Sequence, residues 1–285
     1  MKKSIFIAII GIAVLPAFLA AQGFGGMSSS MDKAIAGMDS AFSAQEGYTP
    51  EDEYYLGRAV AANILDTYKA YTKNPELTAY LNRICQTLVI NSSGPELYNG
   101  YYVMILDTQE FNAFATPGGH IFVTKGLVEA APSEDAIAAI IAHEISHIIL
   151  RHGINMIDDM KLNAEIEAAA KQAAALSNSK SAQAALALRN SVSGIVDTMM
   201  KNGYSRPQEF EADSAAAELL SASGYDPNGI IEMLRILQRV QGSQKGGFNS
   251  THPTPAERLS NPGNPGARFS TTDTRAYRNS RFINK

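Results

Sequence analysis

The chain has 285 residues, 45% of them hydrophobic, and a formal net charge of −4. That is enough apolar chain for one sizeable core, and too acidic a balance for nucleic acid as a general partner. One cysteine, Cys85, excludes an internal disulfide, so the fold has to rest on its core.

Lys2 and Lys3 precede an apolar run, Ile5 to Ala20, and Leu19-Ala20-Ala21 offers small residues for cleavage. This is the order of a secretory signal peptide over residues 1–21. It implies export to the periplasm or cell envelope; the alternative is an uncleaved N-terminal helix that anchors the chain. No second apolar run reaches about eighteen residues, so membrane contact is expected to be peripheral at most. Residues 22–48, rich in Gly, Ser, Met and Ala, read as a flexible lead-in.

Thr49-Pro50-Glu51-Asp52 opens a helix with a cap, a proline and acids in the first turn. Asn74-Pro75-Glu76 opens a second, which runs toward Ile90. After a turn-rich break, Tyr101–Leu106 and Ile121–Thr124 read as strands. A third helix is expected from Glu134 to Arg151, ended by Gly153. Ile157 to Met200 has the pattern of a helical hairpin, interrupted at Ser177-Asn178-Ser179-Lys180. Further helices start at Ser205 and at Asp226-Pro227, 241–249 reads as flexible, and Thr254-Pro255-Ala256-Glu257 gives a last capped turn. The tail 263–285, with Arg268, Arg275, Arg278 and Arg281, reads as disordered and solvated.

The chemistry lies in the third helix. His143-Glu144-Ile145-Ser146-His147 spells H-E-x-x-H. Residues four apart share a helix face, so both histidines can grip one metal ion. Glu144 is rotated from His143 by roughly 100°, close enough to act as general base on a metal-activated water. The histidines could instead lie on a wet face, but Ile140, Ile141, Ile145, Ile148 and Ile149 make the helix apolar nearly all round, hence buried. Buried histidines and a glutamate need a partner, and a metal is one.

A third ligand is sought downstream. Ser205 and Gln208 form a capping-box pattern, after which Glu209 and Asp213 share a face and Glu211 points elsewhere. Glu209 would complete a His-His-Glu zinc site. Asp213 could accept a hydrogen bond from a ligating histidine and fix its tautomer. Alternatively these carboxylates only complement the helix dipole. His120, after two glycines, faces either the cleft or solvent; His152 reads as a cation at a helix end, and Cys85 as a small buried apolar residue.

H-E-x-x-H followed by Ser-Arg and E-x-x-x-D resembles the zinc metallopeptidase family of the CAAX prenyl endopeptidases, HtpX and BepA-like proteases (peptidase family forty-eight of clan MA, gluzincin type). Asn112–Val123 is similar to the family's segment before the active-site helix, which leads into an edge strand beside the substrate. Thr251–Leu259 is similar to its late H-P…R segment. The resemblance implies Glu209 as third ligand and Asp213 behind a ligand. It also implies His252 and Arg258 near the zinc, where such residues bind substrate, stabilise the oxyanion or cap the metal in a resting state. Without further apolar spans the chain resembles the exported branch, and no helical-repeat domain is expected after the protease part.

The expected fold is α+β and mainly helical: a zincin-like domain over residues 49–262, with a small sheet beside the H-E-x-x-H helix. The expected function is a zinc endopeptidase of the bacterial cell envelope, with one Zn2+ per chain. It would act on unfolded or misassembled proteins held by strand addition at an edge near His120–Val123. Its partners would be protein or peptide substrates and the envelope assembly machinery. An envelope chaperone or assembly factor with a latent or structural zinc site is the alternative.

Overall fold

The computed structural model describes residues 48–159, 196, 199, 203–240, 252–260 and 274–282. The expected signal segment and lead-in up to residue 47, nearly all of the expected hairpin after residue 159, and residues 241–249 lie outside them.

Helix starts follow the local signals. Helix α1 (Pro50–Thr67) is capped by Thr49, whose hydroxyl accepts from the Asp52 amide at 3.2 Å while the Asp52 carboxylate accepts from the Thr49 amide at 2.9 Å. Helix α2 (Pro75–Ile90) is capped by Asn74, which accepts from the Leu77 amide. Each has a proline in its first turn, where an N–H would have no intrahelical acceptor.

Strands β1 (Tyr102–Leu106), β2 (Ala113–Thr116) and β3 (His120–Thr124) form one sheet in the order β1-β3-β2. β1 runs parallel to β3, with Val103 opposite Ile121, and β2 runs antiparallel to β3, with Phe114 opposite Phe122. The expected edge position of His120–Val123 is therefore corrected: β3 is the central strand. A 3-10 turn at Pro117–Gly119 folds β2 back onto one side of β3, and β1 occupies the other. Gly118 (φ 71°) makes that turn, and a Cβ there would fall 2.4 Å from the Tyr54 Cα. The pleat divides the strands' side chains. Val103, Ile105, Ile121 and Val123 join the main core, while Leu106, Phe114 and Phe122 join a second core with Leu56, Val60 and Ile64 of α1.

After α3 (Lys125–Ala130) comes α4 (Glu134–Ile149), capped by Ser133 and buried at every residue from Glu134 to Ile148. It ends earlier than expected. Arg151 takes a left-handed conformation (φ 57°), the axis turns by 44°, and Gly153 lies inside the next helix, α5 (His152–Asp159), rather than ending α4. Helices α6 (Arg206–Ala222) and α7 (Gly229–Val240) pack on α4, and the short α8 (Pro255–Leu259) packs on α7.

Residues 275–282, expected to belong to a disordered solvated tail, form helix α9 (Arg275–Phe282), which packs on α4. The cause is burial of two acids, Glu134 and Asp135, in the first turn of α4. Arg281 Nε donates to Glu134 at 2.6 Å, Arg278 Nη2 lies 2.8 Å from Asp135 Oδ1, and Phe282 enters the main core. Buried carboxylates require such partners.

The described chain is thus mainly helical with one small sheet, an α+β arrangement as the sequence indicates. Among the described residues no single helix is long and apolar enough to cross a membrane.

Candidate active site

Two helices and one loop build the site. α4 presents His143, Glu144 and His147, and α6 presents Glu209, Glu211 and Asp213. His252 enters from the segment before α8, and Arg258 from α8 itself. On α6 the residues Ala212, Ala216 and Leu220 are buried, and Glu209 and Asp213 ride on the same face; Glu211, about 200° around from Glu209, has a side chain 63% exposed.

His143 Nε2 lies 3.0 Å from His147 Nε2. Glu209 stands across from both: its Oε2 is 3.4 Å from His143 Nε2, and its Oε1 is 3.4 Å from His147 Nε2. His252 Nδ1 is 2.6 Å from Glu209 Oε1. One donor atom from each of these four residues lies within 4.8 Å of the others, and all four side chains are buried.

The donor set fits a divalent ion. Bonds of about 2.0–2.1 Å in a tetrahedron put ligand atoms about 3.3 Å apart, close to the spacings of 3.0 and 3.4 Å between His143, His147 and Glu209. Two imidazole nitrogens facing each other at 3.0 Å also need something positive between them, a proton or a metal. Charge points the same way. Glu144, Glu209 and Asp213 are buried with one guanidinium, Arg258, an excess of negative charge that a dication would offset.

Behind the donors, Asp213 Oδ1 is 3.2 Å from His143 Nδ1. Arg258 donates to both Asp213 oxygens, from Nε at 3.0 Å and from Nη2 at 2.5 Å, and its Nη1 is 3.3 Å from Glu209 Oε2. Arg258 thus sits behind the carboxylates and clamps them; it does not line an open cleft. Glu144 is buried, and neither of its carboxylate oxygens has a hydrogen-bond partner among the described residues. His120 is buried too, so neither expectation for it holds. It stacks on Tyr54 at 5.4 Å between ring centroids, and its Nδ1 is 3.4 Å from the Pro117 carbonyl. Burial lowers its pKa to about 4, so the ring is neutral. Cys85 is buried as expected, which pushes its thiol up to about 12.

Two residues here differ from the sequence reading: His152, expected as a cation at a helix end, is a buried ring whose pKa burial lowers, and Tyr204 gave no signal in the sequence. His152 is buried with Nδ1 2.9 Å from His147 Nδ1, and Tyr204 stacks on His147 at 4.2 Å between centroids. No spacing rule finds His152, because five residues along a straight helix would put it well off the His147 side; the bend at Arg151 brings it back.

Electrostatics follow from burial and neighbours. Burial raises the Glu144 pKa, which makes it a better base. Burial alone would do the same to Glu209, but His252 and Arg258 hold it well below the ordinary carboxylate value. Asp213 is likewise drawn down to about 2, chiefly by Arg258 against the opposing effect of burial. For His143, burial and Arg258 push downward, yet the hydrogen bonds to Asp213 and Glu209 carry it up to about 9. The metal-free site therefore holds a proton on His143 at neutral pH, which a metal must displace. Metal affinity should rise about tenfold per pH unit below about 9 and flatten above it. Chelator competition across this range checks the slope; an affinity independent of pH would contradict it.

A buried H-E-x-x-H helix, crossed by a carboxylate-bearing helix and flanked by a small sheet, is the arrangement of a zincin-like metallohydrolase domain. The family model for Peptidase family M48 matches residues 75–262, and the chain belongs to that family. It is 29% identical over 189 residues to a beta-barrel assembly-enhancing protease of Escherichia coli O157:H7, covering 65% of this chain and 38% of that protein. It is 28% identical over 191 residues to the mitochondrial metalloendopeptidase OMA1 of Schizosaccharomyces pombe, covering 64% of this chain and 51% of that one. To the metalloprotease LoiP of Escherichia coli K12 it is 25% identical over 185 residues, 65% of this chain and 69% of LoiP.

Proposed function

We propose that the protein is a zinc-dependent endopeptidase of the bacterial cell envelope. In this reading His143, His147 and Glu209 hold one zinc ion, and Glu144 is the general base. The observation that carries it is the convergence of these three donors at 3.0–3.4 Å beside a buried carboxylate without a hydrogen-bond partner among the described residues. Bound zinc supplies a Lewis acid that polarises a peptide carbonyl and lowers the pKa of water to about 7. Glu144 takes the proton of the attacking water and passes it to the leaving amine. Asp213 fixes the His143 tautomer, and Arg258 holds Asp213 and Glu209 in place. Location in the envelope rests on the apolar leader and on kinship with proteases named for β-barrel assembly. Unfolded or misassembled envelope proteins are the proposed substrates. Their capture by strand addition would fall to β2, which pairs with β3 alone among the described residues.

The purified chain should contain one zinc and hydrolyse casein, with activity lost to a chelator and restored by zinc. Zinc without hydrolysis would favour the second reading, an envelope chaperone or assembly factor with a latent or structural site. The placement of His252 within the donor cluster speaks for latency: as a fourth ligand it would fill the position that water needs. A His252→Ala variant should then cleave casein faster than the wild type; equal or slower cleavage would count against capping.

A further inference from the structure

The mechanism above leaves His152 and Glu211 without a task, although they join the metal cluster to the surface. His152 is buried at the first turn of α5. Its Nδ1 is 2.9 Å from the Nδ1 of His147, the nitrogen that points away from Glu209. The other face of the same ring, Nε2, is 3.4 Å from Oε2 of Glu211, whose side chain is mostly exposed. We infer that Glu211, His152 and His147 form a relay of hydrogen bonds that fixes the orientation and tautomer of the second metal ligand. His152 and Glu211 are then positioning residues.

Proton placement along the relay is dictated from one end. A histidine that offers Nε2 to a metal carries its proton on Nδ1 and must donate from there. His152 Nδ1 therefore accepts, its proton lies on Nε2, and that N–H faces the Glu211 carboxylate. Each ring is neutral, and each N–H has an acceptor. The first ligand is served differently: His143 Nδ1 meets Asp213 directly, at 3.2 Å. The backbone accounts for the difference. At Arg151, in its left-handed conformation, the axis of α5 departs from that of α4 by 44°, which sets an imidazole behind His147 and leaves Glu211, on the outer side of α6, to complete the row. The three carboxylates of Glu209-Phe210-Glu211-Ala212-Asp213 thus acquire distinct tasks: one contacts both histidines, one backs His143, and one backs His147 through His152.

The inference rests on the metal reading above, and the test separates the two. Zinc affinity is measured by chelator competition on the full chain for the wild type and four variants: His147→Ala, His152→Ala, His152→Asn and Glu211→Gln. Alongside it goes the rise in Tm that saturating zinc gives over the metal-free protein. Loss of zinc in His147→Ala establishes the ligand itself; its retention would sink the metal reading rather than the relay. His152→Ala should bind zinc about 10–100-fold more weakly, the usual cost of losing an outer partner of a ligand, with a smaller zinc-induced rise in Tm. His152→Asn keeps an acceptor and a donor and should recover part of the loss. Glu211→Gln, an exposed substitution that leaves the core intact, should weaken zinc by a smaller factor. Wild-type affinity in either His152→Ala or Glu211→Gln overturns the relay. If His152→Ala fails to fold, Glu211→Gln and His152→Asn decide.

Discussion

Glu144→Gln should lower kcat for casein by about 10²–10⁴-fold, the usual contribution of a general base, and leave one zinc per chain. The side chain is buried, so the substitution exchanges a carboxylate for an amide of nearly equal shape. Neither of its oxygens bonds to a described residue, so no partner is orphaned. A neutral amide is also cheaper to bury than a carboxylate, and the variant should be at least as stable as the parent to heat. Burial that raises the Glu144 pKa is what equips it to take a proton near neutral pH. The measurement is zinc content, Tm and casein turnover on matched preparations. Unchanged turnover would sink the proposed mechanism, and loss of zinc would move Glu144 from base to ligand.

Glu209→Ala should abolish both metal binding and activity. Its carboxylate is fully buried and faces His143, His147, His252 and Arg258 at once. Removing it takes away the third donor, so zinc should weaken by more than the about 10–100-fold that outer partners cost. It also leaves the Arg258 guanidinium buried with one carboxylate fewer, and breaking such a pairing costs about 3–5 kcal/mol. The metal-free variant should therefore melt well below the metal-free parent. Glu211→Ala is the contrast: its side chain is mostly exposed, and the variant should still take up one zinc when metal is saturating. Retention of zinc by Glu209→Ala together with its loss in Glu211→Ala would reverse the choice of ligand.

Both predictions start from what the sequence makes legible. The register of His143, Glu144 and His147 is a local property of a 3.6-residue helix, and the isoleucines around it foretell burial. Helix starts at Thr49, Asn74, Ser205 and Thr254 were legible for the same reason, since a cap and its partner lie within three residues. Helix face only favoured Glu209 over Glu211, and the family resemblance made the choice; the apolar stripe of Ala212, Ala216 and Leu220 buries the Glu209 face against α4. Pairing across the chain is a different matter. Strand order follows from the Pro117–Gly119 turn, which lays β2 along one side of β3, and from β1 pairing along the other, and the four-residue β2, half of it alanine, carries too little pattern to be seen. The docking of α9 depends on acids more than 130 residues away, at the start of α4. His152 reaches His147 only because Arg151 bends the backbone between them. The sequence by itself determined the register of His143, Glu144 and His147 and the helix that carries them, because those rules act over one or two turns. What stands behind each ligand, and which strand lies at the sheet's edge, was decided by tertiary structure, because each buried polar group takes its partner wherever the fold brings one close.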